Sequence, residues 1–303
     1  MARRALVTGA TGFVGGRLAA RLAGGGWDVR CLVRSRERAA SLERDGFDLH
    51  EGDALKPETL RGMGEGVEVA YYLIHAMGRG GDASFEERER EAAEAFARTA
   101  KDEGVGRVVY LGGLGDSPQS KHLRSRHQTA RLLEAEGPPL TYFRAGMVVG
   151  AGSESYRTLR YLVQRLPAMI APAWLRNRTQ PIGIDDVLCY LAAAPDVEAS
   201  AREVQIGGPD VVTYGDMLDH MAEALGKRPR PKIPVPLLTP WLSSLWIGLV
   251  TPVDAAVARP LVEGLATDTV VTDPSGAKLF EVEPRSFDDA LRAAIAEDPD
   301  LRS

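Results

Sequence analysis

Gly9, Gly12 and Gly15 stand three residues apart in "VTGATGFVGG", directly after an apolar run and at the head of a helical one. In that setting each glycine has a separate task. The first permits a tight turn, the second lets backbone approach a pyrophosphate, and the third lets the helix pack on the strand with its N-terminus facing the phosphates. The loop that would hold the ligand comprises Thr8, Gly9, Thr11, Gly12, Phe13, Val14 and Gly15. Its chemistry is dinucleotide binding. Past the second apolar run comes "CLVRSRER", which puts Arg34 and Ser35 where the adenosine ribose would lie. A guanidinium attracts a 2′-phosphate, and no carboxylate stands by for a free 2′-hydroxyl, so the expected cofactor is NADP(H) rather than NAD(H). "EGDAL" then places Asp53 and Ala54 at the adenine, and "LIHAMG" places Ile74 and His75 beside the second ribose.

The other stretch with chemical content is "SKHLRSRHQ", with two Arg and two His within six residues. His122 and Arg126 lie four apart and share a face of any helix there. An imidazole exchanges protons near neutrality, and a guanidinium holds oxygen-rich groups. A solvated basic helix face is the alternative for the same residues. No metal site is expected.

Elements that must position these residues alternate along the first half. "ALVTG", "DVRCLVR", "FDLHEGD", "VEVAYYLI", "RVVYLGG" and "LTYFRAGMVVG" read as strands. Helices fall between them, from about Gly12, near Arg36 to Arg44, from a capping box at Ser84 to about Glu103, and across Gln119 to Glu136. This pattern specifies an α/β fold, a Rossmann-type doubly wound parallel sheet. Residues 1–150 form its dinucleotide-binding core. Residues 151–303 supply the last sheet elements, including "REVQIGG", interleaved with a smaller helical substrate region and no clean linker. Thr213 with Asp216, and Ser286, are the expected helix caps there, and Gly226 a helix stop.

Composition narrows the class. With 44% apolar and 26% charged residues among 303, the chain builds a full core. A net charge of −5 argues against nucleic acid as a partner. Two cysteines, Cys31 and Cys189, cannot make a disulfide framework, which points to a reducing compartment, and strand-like sequence begins at once, so a cytoplasmic protein is expected. Ile233 to Val253 carries no charge, but Pro234, Pro236, Pro240 and Pro252 divide it. The helix left between Thr239 and Thr251 is about 12 residues, roughly 18 Å, against about 30 Å of hydrocarbon. It reads as a buried helix or pocket lid, with a membrane-surface contact as the alternative and no span.

With "TGATGFVGG", "GDAL", "YYLIHAMG", "RVVYLGGLG", "FRAGMVVG", "QPIGIDDV" and "IGGPDVVTYGDML" in place, nearly the whole chain resembles the atypical short-chain dehydrogenases, in the NmrA-like and complex-I-subunit-like group. The resemblance implies NAD(P) at the glycine loop and one of several activities: reductases, cofactor-sensing regulators and assembly proteins. It also implies a Ser after the fifth strand and a Tyr-x-x-x-Lys on the next helix, the tyrosine exchanging the alcohol proton and the lysine lowering its pKa. Here Gly112 and Gly113 stand at the serine, and His122-x-x-x-Arg126 replaces Tyr-x-x-x-Lys. By that alignment Arg126 takes the ribose contact, Gly112 lines the cofactor and His122 moves the proton. Tyr156, Tyr161, Trp174, Gln180, Trp241 and Trp246 fall in the half that varies and are the candidates for the substrate pocket. The function expected is reduction of a carbonyl or similar group on a fairly apolar small molecule. A non-catalytic NADPH-responsive regulator or assembly protein remains the second reading, and an epimerase fits less well because its chemistry leans on the missing tyrosine.

Overall fold

The computed structural model describes residues 2–74, 82–115, 121–198, 202–235 and 267–301. The alternating runs become β1 (Arg4–Thr8), α1 (Phe13–Gly24), β2 (Asp28–Val33), α2 (Ala40–Arg44), β3 (Asp48–Glu51), β4 (Val69–Tyr72), α3 (Asp82–Asp102), β5 (Arg107–Gly113), α4 (Lys121–Glu136) and β6 (Leu140–Ala145). Later come β7 (Val148–Val149), α5 (Glu154–Arg165), β8 (Met169–Ala171), β9 (Arg178–Thr179), β10 (Ile182–Gly183), α6 (Ile184–Ala193), β11 (Arg202–Ile206), β12 (Val212–Thr213), α7 (Tyr214–Ala224), β13 (Lys232–Pro234) and α8 (Phe287–Glu297). Seven strands make one sheet in the order β11-β6-β5-β4-β1-β2-β3, every neighbouring pair parallel. This is the doubly wound Rossmann-type architecture. The order reverses between β1 and β4, and a crevice for ligand opens at the carboxyl ends of the strands there.

A parallel sheet buried on both faces needs strands apolar throughout, and β4 "VAYY" is buried at all four positions. On one face Leu18 and Leu22 of α1 pack with Val187 and Leu191 of α6. On the other, Phe96 of α3 and Leu133 of α4 close over Tyr72 and Tyr110. A third cluster, with Tyr156, Val163, Met217 and Leu291, joins α5, α7 and α8 into a smaller lobe.

Several elements follow the sequence expectations closely. Thr213 and Asp216 form a reciprocal capping box on α7, Ser286 accepts from the Asp289 N–H, and Gly226 has φ +67 after α7. Losing such a cap costs about 1 kcal/mol. Others differ. α3 begins at Asp82, ahead of the expected Ser84. The Arg36–Arg44 segment opens as a 3₁₀ turn before α2. Residues 232–234, at the head of the uncharged stretch, are a strand paired with β8; the helix expected after Thr239 lies outside the described residues. No helix among the described residues is long and apolar enough to cross a membrane.

Candidate cofactor and active site

The glycine loop has the geometry its spacing implies. Gly9 has φ +64, and its carbonyl accepts from the Gly12 N–H at 2.8 Å, closing the turn. A side chain at Gly9 would meet the Leu73 carbonyl at 2.5 Å, and one at Gly15 would meet the Gly9 carbonyl at 2.3 Å. Backbone therefore comes within reach of the crevice only because both residues are glycine. Gly12 caps α1 with no side-chain hydrogen bond, and the first turn holds no acidic residue, so the first N–H groups of α1 lack helical acceptors, an arrangement that suits an anion. Thr11 and Gly12 are exposed, and Phe13 and Val14 half-buried. Thr8 is fully buried and its hydroxyl accepts from the Leu73 N–H at 2.8 Å, tying β1 to the end of β4. Ile74 follows, half-buried; His75 lies outside the described residues.

At the adenosine end Arg36 is committed, to the Leu49 carbonyl at 2.6 Å and to Glu43 at 2.9 Å. Arg34 is exposed directly after β2 and has no ion pair or hydrogen bond among the described residues. Ser35 caps the turn that follows, accepting from the Arg38 N–H at 3.4 Å. Asp53, half-buried past β3, accepts from the Leu55 N–H, and its own N–H donates to Thr59 Oγ1 at 2.9 Å; Ala54 beside it is buried.

On the far side of the switch point α4 lies over the ends of β5 and β6. A side chain at Gly113 would rest 3.2 Å from Leu123 and 3.9 Å from the Arg126 stem. The Arg126 stem thus lies beside the end of β5. The His122 side chain lies outside the described residues. Gly112 is buried, and a β-carbon there would fall 2.7 Å from both Cε2 and Oη of Tyr142. Tyr142 Oη lies 3.4 Å from His127 Nδ1, and His127 Nε2 lies 3.3 Å from the Gly115 carbonyl. Arg144, 4% exposed, donates to the Gly113 and Gly115 carbonyls at 3.2 and 3.0 Å and pairs with Glu203 at 2.6 Å. Gln205 extends this network, donating to Glu203 at 3.1 Å and accepting from the Thr272 N–H at 2.8 Å. Tyr142, His127 and Arg144 meet here without having been singled out by spacing; their sequence signals are the second histidine of "SKHLRSRHQ" and the "FRAGMVVG" run that holds Arg144.

Candidates in the second half separate on inspection. Tyr156 is fully buried, and its hydroxyl donates to Asp298 at 3.0 Å within an ion pair with Arg160; it is core of the smaller lobe, and its hydroxyl is spoken for. Gln180 spends its amide on loops, donating to the Gly208 carbonyl at 2.7 Å and accepting from the Val271 N–H at 3.0 Å. Trp174 stands edge-on to Tyr214, with centroids 6.5 Å apart. Tyr161 lies under the guanidinium groups of Arg160 and Arg165. Trp241 and Trp246 lie outside the described residues.

A family model described as the NmrA-like family matches residues 1–170. The chain is similar to NADH dehydrogenase [ubiquinone] 1 alpha subcomplex subunit 9, mitochondrial, of Arabidopsis thaliana, 26% identical over 294 residues, 89% of this chain and 71% of that protein. It is likewise similar to the ceramide reductase of Caulobacter vibrioides, 26% identical over 292 residues, 93% of this chain and 89% of that one. In fold it matches the Citrobacter sp. triphenylmethane reductase complexed with NADP(H), with TM-score 0.72 and 16% identity over 96% of this chain and 99% of that chain.

Proposed function

The chain belongs to the NmrA-like family, and on that premise we propose that it is an NADP(H)-dependent oxidoreductase reducing a carbonyl or similar group of a fairly apolar small molecule. The observation that carries this is the pairing of a cradle only glycine can form, at Gly9 and Gly15, with an exposed Arg34 at the end of β2. Thr11, Gly12, Phe13 and Val14 present the pyrophosphate site, Arg34 and Ser35 the 2′-phosphate, Asp53 and Ala54 the adenine edge, and Ile74, His75, Gly112 and Arg126 the nicotinamide half. The nicotinamide, when bound, supplies the hydride. Two similar proteins are named as reductases, one of them solved with NADP(H). The uncharged 233–253 segment, with Trp241, supports an apolar substrate.

The test is calorimetric titration of NADPH and NADH into wild type and Arg34→Ala. One charge-assisted phosphate contact contributes about 1.5–3 kcal/mol, so the variant loses roughly 10- to 150-fold in NADPH affinity and leaves NADH nearly unchanged. Equal losses for both, or tighter NADH binding by wild type, refute the cofactor assignment.

A second reading, a non-catalytic NADPH-responsive regulator or assembly protein, is favoured by the replacement of Ser, Tyr and Lys at Gly112, His122 and Arg126. NADPH oxidation against apolar aldehydes, ketones, quinones and enones separates the two: tight NADPH binding without turnover supports the regulator.

A further inference from the structure

We propose that Tyr142 is the proton donor of this reduction and that His127 relays a proton to it. The inference rests on the oxidoreductase reading above. A dinucleotide with its pyrophosphate at α1 and its adenosine over β2 and β3 carries its other half across the switch point, toward β4, β5 and β6. An acid is needed there, and α4 offers no tyrosine.

The sheet does. Tyr72, Tyr110 and Tyr142 sit in register on adjacent strands, Tyr72 opposite Tyr110 and Tyr110 opposite Tyr142. Their rings form a row, with centroids 6.0 and 5.3 Å apart. The three rings belong to one buried cluster, with Tyr142 the most exposed at 7% against 2% and 1%; burial pushes the Tyr72 and Tyr110 hydroxyls well above the ordinary phenol range, so neither gives up a proton readily. Tyr142 ends the row, and its ring leans toward the carboxyl edge over Gly112. Glycine at 112 is what makes room, since any β-carbon there collides with the phenol at 2.7 Å.

The imidazole beside it has a defined role. His127 Nε2 stands between two groups, 3.3 Å from the Gly115 carbonyl, which accepts, and 3.4 Å from Arg144 Nη2, which donates. Nδ1 faces Tyr142 Oη. Their 3.4 Å separation is long, as acid–base contacts often are before substrate binds. Arg144 Nη2 also donates to the Gly115 carbonyl at 3.0 Å and so holds the loop beside His127. In the reduction, two electrons and one proton enter as hydride from the reduced nicotinamide, forming the C–H bond while the carbonyl π bond breaks. The Tyr142 O–H bond breaks as the alcohol O–H forms. The phenolate takes a proton back from His127 Nδ1, and the imidazole takes one from water, which leaves as hydroxide.

Tyr142→Phe keeps the ring and its stacking on Tyr110, so the fold is retained while the acid is lost. NADPH oxidation is followed with phenanthrenequinone and with decanal in wild type, Tyr142→Phe and His122→Ala. The expected result is a fall in kcat of about 10²–10⁴-fold for Tyr142→Phe, with NADPH affinity unchanged. A second readout needs no turnover. In ¹⁵N-histidine-labelled protein, one of the five histidines should have an Nδ1 resonance that moves when Tyr142 becomes Phe. Wild-type turnover with an unimpaired Tyr142→Phe, or a loss confined to His122→Ala, overturns the relay and leaves the reductase reading standing. No histidine nitrogen responding to Tyr142→Phe overturns the pair. NADPH binding with no oxidation by either probe overturns the reductase reading and the relay with it.

Discussion

Replacing Gly15 by alanine adds one methyl group at the centre of the phosphate loop. That methyl would sit 2.3 Å from the Gly9 carbonyl oxygen, 2.7 Å from its carbon and 3.1 Å from Ala10 Cα. All three are backbone atoms, so no rotamer change relieves the contact. Either α1 moves off the sheet or the turn closed by the Gly12 N–H on the Gly9 carbonyl opens. Overpacking of this kind costs about 1–3 kcal/mol. Alanine also favours the helix over glycine by about 0.5–1 kcal/mol, and that term must be removed before the clash is read. Gly24 provides the correction, because it belongs to the same helix and nothing lies within 4 Å of its would-be side chain. Gly24→Ala should therefore be neutral or stabilising by up to about 1 kcal/mol. The two variants should melt apart by the cost of the clash alone, roughly 2–5 °C at about 1.6 °C per kcal/mol for a chain of this length. Thermal unfolding followed by circular dichroism measures it, and calorimetry with NADPH should show weaker binding by Gly15→Ala only. If both variants melt together at or above wild type, the contact between α1 and the turn is not the constraint described and the cradle argument fails.

Burial pushes the Cys31 thiol up to about 12, and the residue is fully inaccessible in β2. Iodoacetamide at about pH 8 should therefore leave it unmodified, because the thiolate is the nucleophile, and alkylation of the native protein should map to half-buried Cys189; mass spectrometry finding Cys31 modified at the same rate refutes this. Asp186 is 5% exposed, and burial raises its pKa above the ordinary aspartate value even though the Arg285 N–H donates to it. A raised carboxylate pKa favours the protonated form in the folded state, so its penalty is absent below the unfolded value and grows as pH rises through the folded one. Asp186→Asn, which keeps an acceptor for that N–H, should raise the denaturant midpoint at about pH 7 and leave it unchanged near pH 3; a lower midpoint at neutral pH would show that the charge itself is needed.

The two ends of the candidate site differ in how far they were legible. The glycine loop is readable because its constraints are local: a turn, a helix start and a close approach all fall within seven residues, 9–15, and each excludes a side chain for a reason that spacing encodes. Helix caps at Thr213 and Ser286 are readable for the same reason. Tyr156 is not, because what takes its hydroxyl is Asp298, 142 residues away. Nor is the acid–base edge, where His127, Tyr142 and Arg144 meet only after β6 pairs beside β5 and α4 packs across both. Gly112 shows why such an edge escapes a motif. As a letter it marks a missing serine; in the fold it is a space, and what fills the space is decided by the register of the neighbouring strand, which puts Tyr142 beside Tyr110 and its ring over Gly112. A catalytic group absent from its motif position is thus no measure of what chemistry a site retains, since a parallel sheet can deliver the same functional group from the adjacent strand.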